Sequence, residues 1–587
     1  MSARGADLLV DALATAGVRQ LFSLSGNQIL SIYDATVGRD ITLIHTRHEA
    51  AAVHMADGWA RMTEEPGVAL VTAGPGHLNA ISALYTALMS ESPIVLLSGH
   101  APRSQAGRGA FQEIDQVGAA RSVSKAAWVV ESAERMGEDM TRALTLASAW
   151  PPGPVHLSLP GDLLEARVTT GPPAAPAPSS EPRRMDDVLI RRTLGLLAEA
   201  KRPLIIAGPA MGRARRWSDV ERLSALTGIP ALLMESPRGV NDPSLRGATR
   251  CLGEADLVLL LGKRLDFTLR FGGAPAFSPR SRFIVVDVAP PRSSERLALA
   301  LAANPSVVVR QLVAEAAEHV WQRSTWTKEV DAARLTRPAS WEELGRSPAT
   351  PLHPLRVCAA LQPHLDAGAI LVSDGGEFGQ WCQAGLHARD RLINGPAGSI
   401  GSAVPMSLGA RVARPDLPVI ATLVADGGEF GQWAQAGLEA RERLINGPSG
   451  SIGSAMPMAI AARLVRPSAP VFALLGDGTF GFHALEIDTA LRYGLPFVAV
   501  VGNDARWNAE HQLQLQQYGA MRAVGCALLP TRYDRVVQAL GGHGEHVEHA
   551  DELTPALERA ARSGKPACVN VLIDGVAAPL FSTSAGH

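Results

Sequence analysis

The stretch GDGTFGFHALEIDTALRYGLPFVAVVGND, residues 476–504, decides the fold. A strand ending in Gly-Asp-Gly delivers a carboxylate to the carboxyl end of a parallel sheet, where ligands of open α/β sheets bind, and the flanking glycines let backbone amides approach a phosphate. About 25 residues later a second apolar run ends in Asn503-Asp504, so further oxygen-bearing side chains reach the same crevice. A hard divalent cation can bridge such groups to a diphosphate, because Mg2+ characteristically takes one or two carboxylates together with phosphate oxygens. A Gly-Asp-Gly string alone is equally what a chance turn at a strand end looks like, so the rest of the chain has to decide.

Working outward, short apolar runs followed by helical patterns recur from end to end: VALVTAG (68–74), PIVLLSG (93–99), RPLIIAG (202–208), ADLVLLLG (255–262), RFIVVDV (282–288), AILVSDGG (369–376), PVFALLGDG (470–478) and LPFVAVVGND (495–504). Val, Ile and Leu on both parities mark strands buried on both faces, hence parallel sheets with helical crossovers. The Pro-, Ala- and Ser-rich segment 169–184 reads as an extended linker, and a weaker break lies near RPASWEELGRSPATPLHP (337–354). Three doubly wound α/β domains are expected, over 1–168, 185–340 and 350–587. That division suits 587 residues, too many for a single core.

The third domain is long because it contains a tandem repeat. Residues 371–420 recur as 423–472 with 36 of 50 positions identical. Two copies are too few for a solenoid, so the reading is a duplicated segment with a strand, a Gly-rich turn, a helix, the turn INGP and a second helix in each copy. Only the second copy runs directly into the Gly-Asp-Gly strand.

With 55 basic and 57 acidic residues and no long single-sign run, nothing suggests a nucleic-acid or polybasic membrane partner. Cys251, Cys358, Cys382, Cys526 and Cys568 lack CxxC spacing, which argues against a disulfide framework or zinc cluster and favours a reducing cytoplasm. The N-terminal MSARGADLLVDALATAGV reads as an amphipathic helix and not as a signal peptide, and no apolar run reaches the roughly 18 residues needed to span a bilayer.

Gly-Asp-Gly followed at this spacing by Asn-Asn is the signature of thiamine-diphosphate enzymes, and 476–504 resembles it. The resemblance implies Gly476, Gly478 and Thr479 around the diphosphate, and Asp477, Asp504 and the carbonyl of Arg506 on the metal. Asp504 departs from the pattern, standing where the family has Asn and adding a negative charge. IHTRHEAAAVHMADGWARMT (44–63) is similar to the family's first-domain motif, whose Glu protonates the aminopyrimidine ring. The bland reading of Glu49 is a helix-start carboxylate favoured by the dipole; the resemblance makes it the leading catalytic residue, with burial expected to raise its pKa.

The resemblance is colinear over nearly the whole chain. TAGPGHLNA, from 72, looks like the family's Gly-Pro-Gly turn and supplies Gly74; GRGAFQEIDQVGAARSVSK (107–125) looks like the loop whose Phe111 and Gln112 lie over the substrate side of the cofactor. In INGPSGSIGSAMP, Gly450 and Ile452 fall where the family holds the aminopyrimidine, with Gly398 and Ile400 as equivalents in the first copy. The diphosphate turn DGGEF likewise occurs twice, offering Gly376 and Glu377 or Gly428 and Glu429. In LFSLSGNQILSIYDA (21–35) Ser25 replaces the usual Pro, and Asn27 and Gln28 replace small residues; both can hydrogen-bond a substrate oxygen, or simply cap backbone amides.

The three domains are thus expected to be pyrimidine-binding, central and diphosphate-binding, and the cofactors thiamine diphosphate and Mg2+. FAD is doubtful, because the connection from PALLMESPRG to EADLVLLLG is short and LGKRLDFTLRFG (261–272) resembles the lyase-type pattern at least as well as the synthase type. There Arg264 and Asp266 can be mere strand-end residues. The resemblance implies a carboligase or lyase acting on 2-oxo acids in the manner of acetolactate synthase, with an acyloin or 2-hydroxyacyl-CoA lyase as the alternative. A reading of another class is a binding or assembly protein disabled by the duplication. Glu49 and Gly-Asp-Gly lie in different domains, which relatives join across a subunit interface, so a homodimer or homotetramer is expected.

Overall fold

Runs such as GVALV (Gly67–Val71) and LVLLL (Leu257–Leu261) have no polar face, and both are buried throughout their length. Only a parallel sheet covered by helices on both sides accommodates that, and three such sheets form. In the computed structural model of the chain the described residues are 2–169, 184–236, 238–242, 245–291, 295–322, 324–336, 338–366, 370–373, 390–393, 422–425, 442–445, 456 and 471–577. Among them no helix is long and apolar enough to cross a membrane.

The first sheet comprises β1 (Gln20–Ser23), β2 (Thr42–His45), β3 (Gly67–Val71), β4 (Ile94–His100), β5 (Ala126–Val129) and β6 (Val155–Pro160), in the order β2-β1-β3-β4-β6-β5. Between β2 and β3 runs α1 (Glu49–Thr63), between β3 and β4 α2 (Pro75–Met89), and before β5 α3 (Gln116–Arg121). Helix α1 starts where His48 turns extended and its ring accepts the Ala50 N–H at 3.1 Å. It ends at Glu64, whose φ of 62° is left-handed. Its alanines 50, 51, 52 and 56 are small enough to let α2 and the third sheet close in on it.

The second sheet, β7 (Pro203–Ala207), β8 (Ala231–Leu233), β9 (Leu257–Leu261), β10 (Arg282–Asp287) and β11 (Leu297–Ala302), has the order β8-β7-β9-β10-β11. Among the described residues the third has eight strands: β12 (Ile370–Ser373), β13 (Asp390–Ile393), β14 (Thr422–Ala425), β15 (Glu442–Ile445), β16 (Val471–Gly476), β17 (Val498–Asn503), β18 (His543–Val547) and β19 (Ala567–Leu572), ordered β12-β13-β15-β14-β16-β17-β19-β18. After β16 come α4 (Asp477–His483) and α5 (Glu486–Arg492).

Each of the eight apolar runs read from the sequence contains a strand. The sequence reading did not contain β13 and β15: the segment DRLI or ERLI ahead of each INGP turn pairs in parallel register, so each copy holds a second strand. Two apolar residues in four are too short a run to stand out from a helical pattern. The expected helices of the repeat lie outside the described residues.

Candidate active site

The β2–α1 junction carries Glu49, 8% exposed, at the first turn of α1. Asn79 Nδ2 donates to Glu49 Oε2 at 3.0 Å. A Cβ at residue 76 would stand 3.3 Å from Glu49 Oε1 and 2.7 Å from the Thr72 methyl, so Gly76 is what allows the Gly-Pro-Gly turn to sit against the carboxylate. Two residues earlier Gly74 has φ +55°, and a Cβ there would meet the Gln112 carbonyl at 2.6 Å. That combination of left-handed backbone and close approach requires glycine.

Around this turn the polar groups form a chain. Thr72 Oγ1 donates to Gln28 Oε1 at 2.5 Å, and Gln28 Nε2 donates to Gln112 Oε1 at 3.0 Å. Gln112 is itself left-handed, φ 60°. Gln28, Gln112 and Gly74 are therefore brought together beside Glu49. Asn27 instead stands exposed at the start of its turn, and Phe111 is 71% exposed beside Gln112.

At the other pole, β16 ends at Gly476 and α4 begins with Asp477, 2% exposed. Its Oδ2 has no hydrogen-bond partner among the described residues. Burial pushes this carboxyl well above the usual carboxylate range, against the opposing pull of the Gly478, Arg506 and Ala505 amides. Asp504 is raised too, by burial first and by the charge of Asp477 second; its Oδ1 accepts the Arg506 N–H at 3.1 Å. Two buried carboxylates, one with an orphaned oxygen and the other raised in part by its charge, fit a divalent cation, whose charge would reverse both shifts. Among the described residues no group of three or more His, Cys, Asp or Glu could hold a metal; a cation at Asp477 and Asp504 would need backbone carbonyl or phosphate oxygens as well.

Gly478 faces the Trp507 ring, which a Cβ would meet at 2.8 Å, and Thr479 Oγ1 donates to the Gly476 carbonyl at 2.9 Å. Asn503, expected in the crevice, turns inward: its Nδ2 donates to the Thr531 carbonyl at 2.9 Å and to Asn570 Oδ1 at 3.1 Å. Gly376, Glu377, Gly398, Ile400, Gly428, Glu429, Gly450 and Ile452 lie outside the described residues.

Sequence reasoning passed over Thr72, Asn79, Gln116 and Glu486. The first two stand inside the quoted Gly-Pro-Gly string, which was an available signal for them, whereas Gln116 lies outside it and its partners are distant in sequence. Glu486 had none. It reaches back from α5, where its Oε1 accepts the Arg47 N–H at 2.9 Å, while Tyr493 Oη accepts the His45 N–H at 3.0 Å. The loop delivering Glu49 is thus clasped by the C-terminal domain of the same chain.

Burial pushes the Glu486 carboxyl up to about 7, opposed by the Thr489 hydroxyl, the Arg47 amide and the charges of Arg492 and Arg47. Its folded pKa exceeds its unfolded value of 4.5, so its contribution is fully present below pH 4.5 and lost as pH rises toward 7. At about 1.4 kcal/mol per pKa unit, the cost above that window is on the order of 3 kcal/mol. Glu486→Gln, which keeps the acceptor for Arg47, is expected to be more stable than the parent at pH 8 and to lose that advantage at pH 5. Melting curves at the two pH values test it; a difference independent of pH would show that the carboxyl does not titrate in the fold.

Residues 3–119 match the sequence family described as thiamine pyrophosphate enzyme, N-terminal TPP binding domain; residues 190–312 match its central domain and 426–571 its C-terminal TPP binding domain. The chain is similar to the acetolactate synthase large subunit IlvG of Mycobacterium tuberculosis, 35% identical across 97% of this chain and 95% of that protein. It is also similar to 2-hydroxyacyl-CoA lyase 2 of Bos taurus, 29% identical across 97% and 90%, and to 2-hydroxyacyl-CoA lyase 1 of Homo sapiens, 27% identical across 97% and 94%.

Proposed function

Because the chain belongs to the thiamine pyrophosphate enzyme family, we propose that it is a Mg2+-dependent carboligase of the acetolactate synthase type, taking a 2-oxo acid such as pyruvate. The observation that carries this reading is the seat of Glu49, a buried carboxylate with one oxygen fixed by Asn79 and the other lying against the Gly76 turn. When bound, thiamine diphosphate supplies a nucleophilic carbon and an electron sink for breaking or making bonds beside a carbonyl. The protein's part is to place groups around it. Glu49 would hold a proton at the cofactor's ring nitrogen; Gln28 and Gln112 would orient the substrate's carbonyl oxygen; Asp477, Asp504 and the Arg506 carbonyl would hold the cation, and Gly476, Gly478 and Thr479 the diphosphate.

The second copy of the repeat supplies the remaining cofactor contacts, Gly428, Glu429, Gly450 and Ile452. The match of 426–571 to the C-terminal family domain, starting inside that copy, supports this. We place no flavin in the central domain. Sheets with its strand order take ligands where the order reverses, between β7 and β9. At that point the Ala210 amide already donates to Glu91 Oε2 at 3.0 Å, and Lys263, 2% exposed, pairs with Asp266 at 3.6 Å. The protein works as a homodimer or a pair of homodimers, which would cover Leu78 and Tyr85, exposed on α2 at 50% and 40%. Its cysteines 251, 526 and 568 are free and buried, which suits a reducing cytoplasm.

Purified protein with thiamine diphosphate and Mg2+ is expected to release CO2 from pyruvate and form an acyloin acid. The presence of curated lyases at 27% and 29% identity keeps a second reading, cleavage of a 2-hydroxyacyl-CoA. Release of an aldehyde from that substrate with no turnover of pyruvate would overturn the first reading in favour of the second. Failure of both, with cofactor bound, would leave an assembly role.

Gln28→Ala removes the link between Thr72 and Gln112. A hydrogen bond lost at a substrate oxygen costs about 1 kcal/mol or somewhat more. The expected result is therefore a rise of roughly tenfold in KM for the 2-oxo acid with unaltered cofactor affinity. Steady-state kinetics indistinguishable from the parent would remove Gln28 from the site.

A further inference from the structure

Gln116 opens α3, and its side chain is 1% exposed. Every polar atom it has is in use: Oε1 accepts the Gly74 N–H at 3.1 Å, and Nε2 donates to the Gly99 carbonyl at 3.0 Å and to Ser158 Oγ at 3.0 Å. Those partners lie on three separate segments, the turn after β3, the end of β4 and the end of β6. An acceptor and two donors on one planar head are what an amide provides and neither a carboxylate nor an ammonium does. Asp115 fixes the start of the helix by accepting the Gly118 N–H at 2.7 Å, so the amide is delivered from a settled backbone.

The surroundings leave it without a charged competitor. His77 Nδ1 pairs with Ser98 Oγ at 2.9 Å, and its ring lies 4.6 Å from that of His156. Burial holds His77 down to about 4 and His156 well below the usual imidazole range, so both are neutral near pH 7. The turn 72–76 joins β3 to α2, and the amide of Gly74 is where Gln116 holds it. Through Thr72 the turn holds Gln28, through Gly74 it rests on the Gln112 carbonyl, and through Gly76 it abuts Glu49.

We infer that Gln116 is a positioning residue: by pinning the Gly74 turn to the ends of β4 and β6, it sets Glu49 and the Gln28–Gln112 pair at one height relative to the cofactor, without touching cofactor or substrate itself. The inference rests on the reading that Glu49 serves the cofactor ring. A shift of about an ångström in such groups can cost on the order of a hundredfold in rate, whereas the Asp477 pole lies in another domain and is unaffected.

The test uses the full chain with thiamine diphosphate and Mg2+, comparing Gln116→Leu, Gln116→Glu and, as control, Glu49→Gln. Gln116→Leu is expected to bind the cofactor within about threefold of the parent, to lower kcat by roughly tenfold to a hundredfold with a smaller change in KM, and to lose hydrogen-exchange protection at the Gly74 amide. Gln116→Glu keeps the acceptor for Gly74 but can donate only when protonated. Its activity is therefore expected to recover as pH falls, relative to the parent, which a merely space-filling role would not produce. Full kcat in Gln116→Leu, or protection of Gly74 unchanged, overturns the proposal. If the leucine variant does not fold, a flat activity ratio between Gln116→Glu and the parent from pH 8 to pH 6 overturns it instead. Full activity in Glu49→Gln would refute the reading of Glu49, while the Gly74 exchange still reports on Gln116.

Discussion

Asp477→Asn is expected to abolish Mg2+-dependent binding of thiamine diphosphate and yet to leave the cofactor-free protein at least as stable as the parent. The two effects share one cause. Asp477 is 2% exposed with Oδ2 unpartnered, and burial raises its pKa. A group raised in this way contributes stability at low pH that is lost as pH rises through its folded value. Without the cation the ionised carboxylate is therefore a burden, shared with Asp504, and an amide of the same shape removes it. With the cation the same charge becomes the ligand. A ligand present at a hundred times its Kd adds about 2.7 kcal/mol to stability; the parent's melting temperature should rise with cofactor and Mg2+ and the variant's should not. A variant that still gains stability from the pair would place the metal elsewhere.

Glu49→Gln should give the opposite dissection: cofactor bound, turnover gone. The substitution preserves the side chain's size and an oxygen that can accept from Asn79, so the α1 start and the Gly76 contact are kept. What it loses is the exchangeable acid proton. General acid–base groups contribute typically 10²–10⁴-fold in rate, and a loss of that order in kcat, with calorimetric binding of thiamine diphosphate within a few-fold of the parent, is expected. A variant with more than half the parent's kcat would show that the carboxylate is only a helix-start group.

The positions of both residues were legible in the sequence, Asp477 at a strand end between glycines and Glu49 at a helix start, while for Glu49 it was the resemblance to the thiamine-diphosphate family that pointed beyond a helix-start carboxylate. The strand runs were legible for a related reason, since double-sided burial writes itself as uninterrupted Val, Ile and Leu. What the letters could not show was side-chain direction. Asn503 and Asp504 are neighbours at one strand end, yet the first bonds Thr531 and Asn570 inside the fold and only the second stays with Asp477. Asn27 and Gln28 look alike in the chain, and only Gln28 joins Thr72 and Gln112. Gln116 was invisible for a third reason: its worth lies in three partners distant from it in sequence, and no local pattern encodes a convergence of that kind.

The clasp on the Glu49 loop has a consequence for the order in which the molecule is made. Arg47 and His45 are held by Glu486 and Tyr493, 439 and 448 residues further along. Synthesis runs from the N-terminus, and domains generally fold as units as they emerge. The first sheet can therefore assemble early, with its loop already held by Ser23, Ser25 and Asn79, but the Arg47 and His45 amides lack their C-terminal acceptors until Glu486 and Tyr493 have left the ribosome. A nascent or truncated polypeptide ending before α5 would carry Glu49 without this clasp, so the loop takes its final bonds only after the third sheet's α5 has been made.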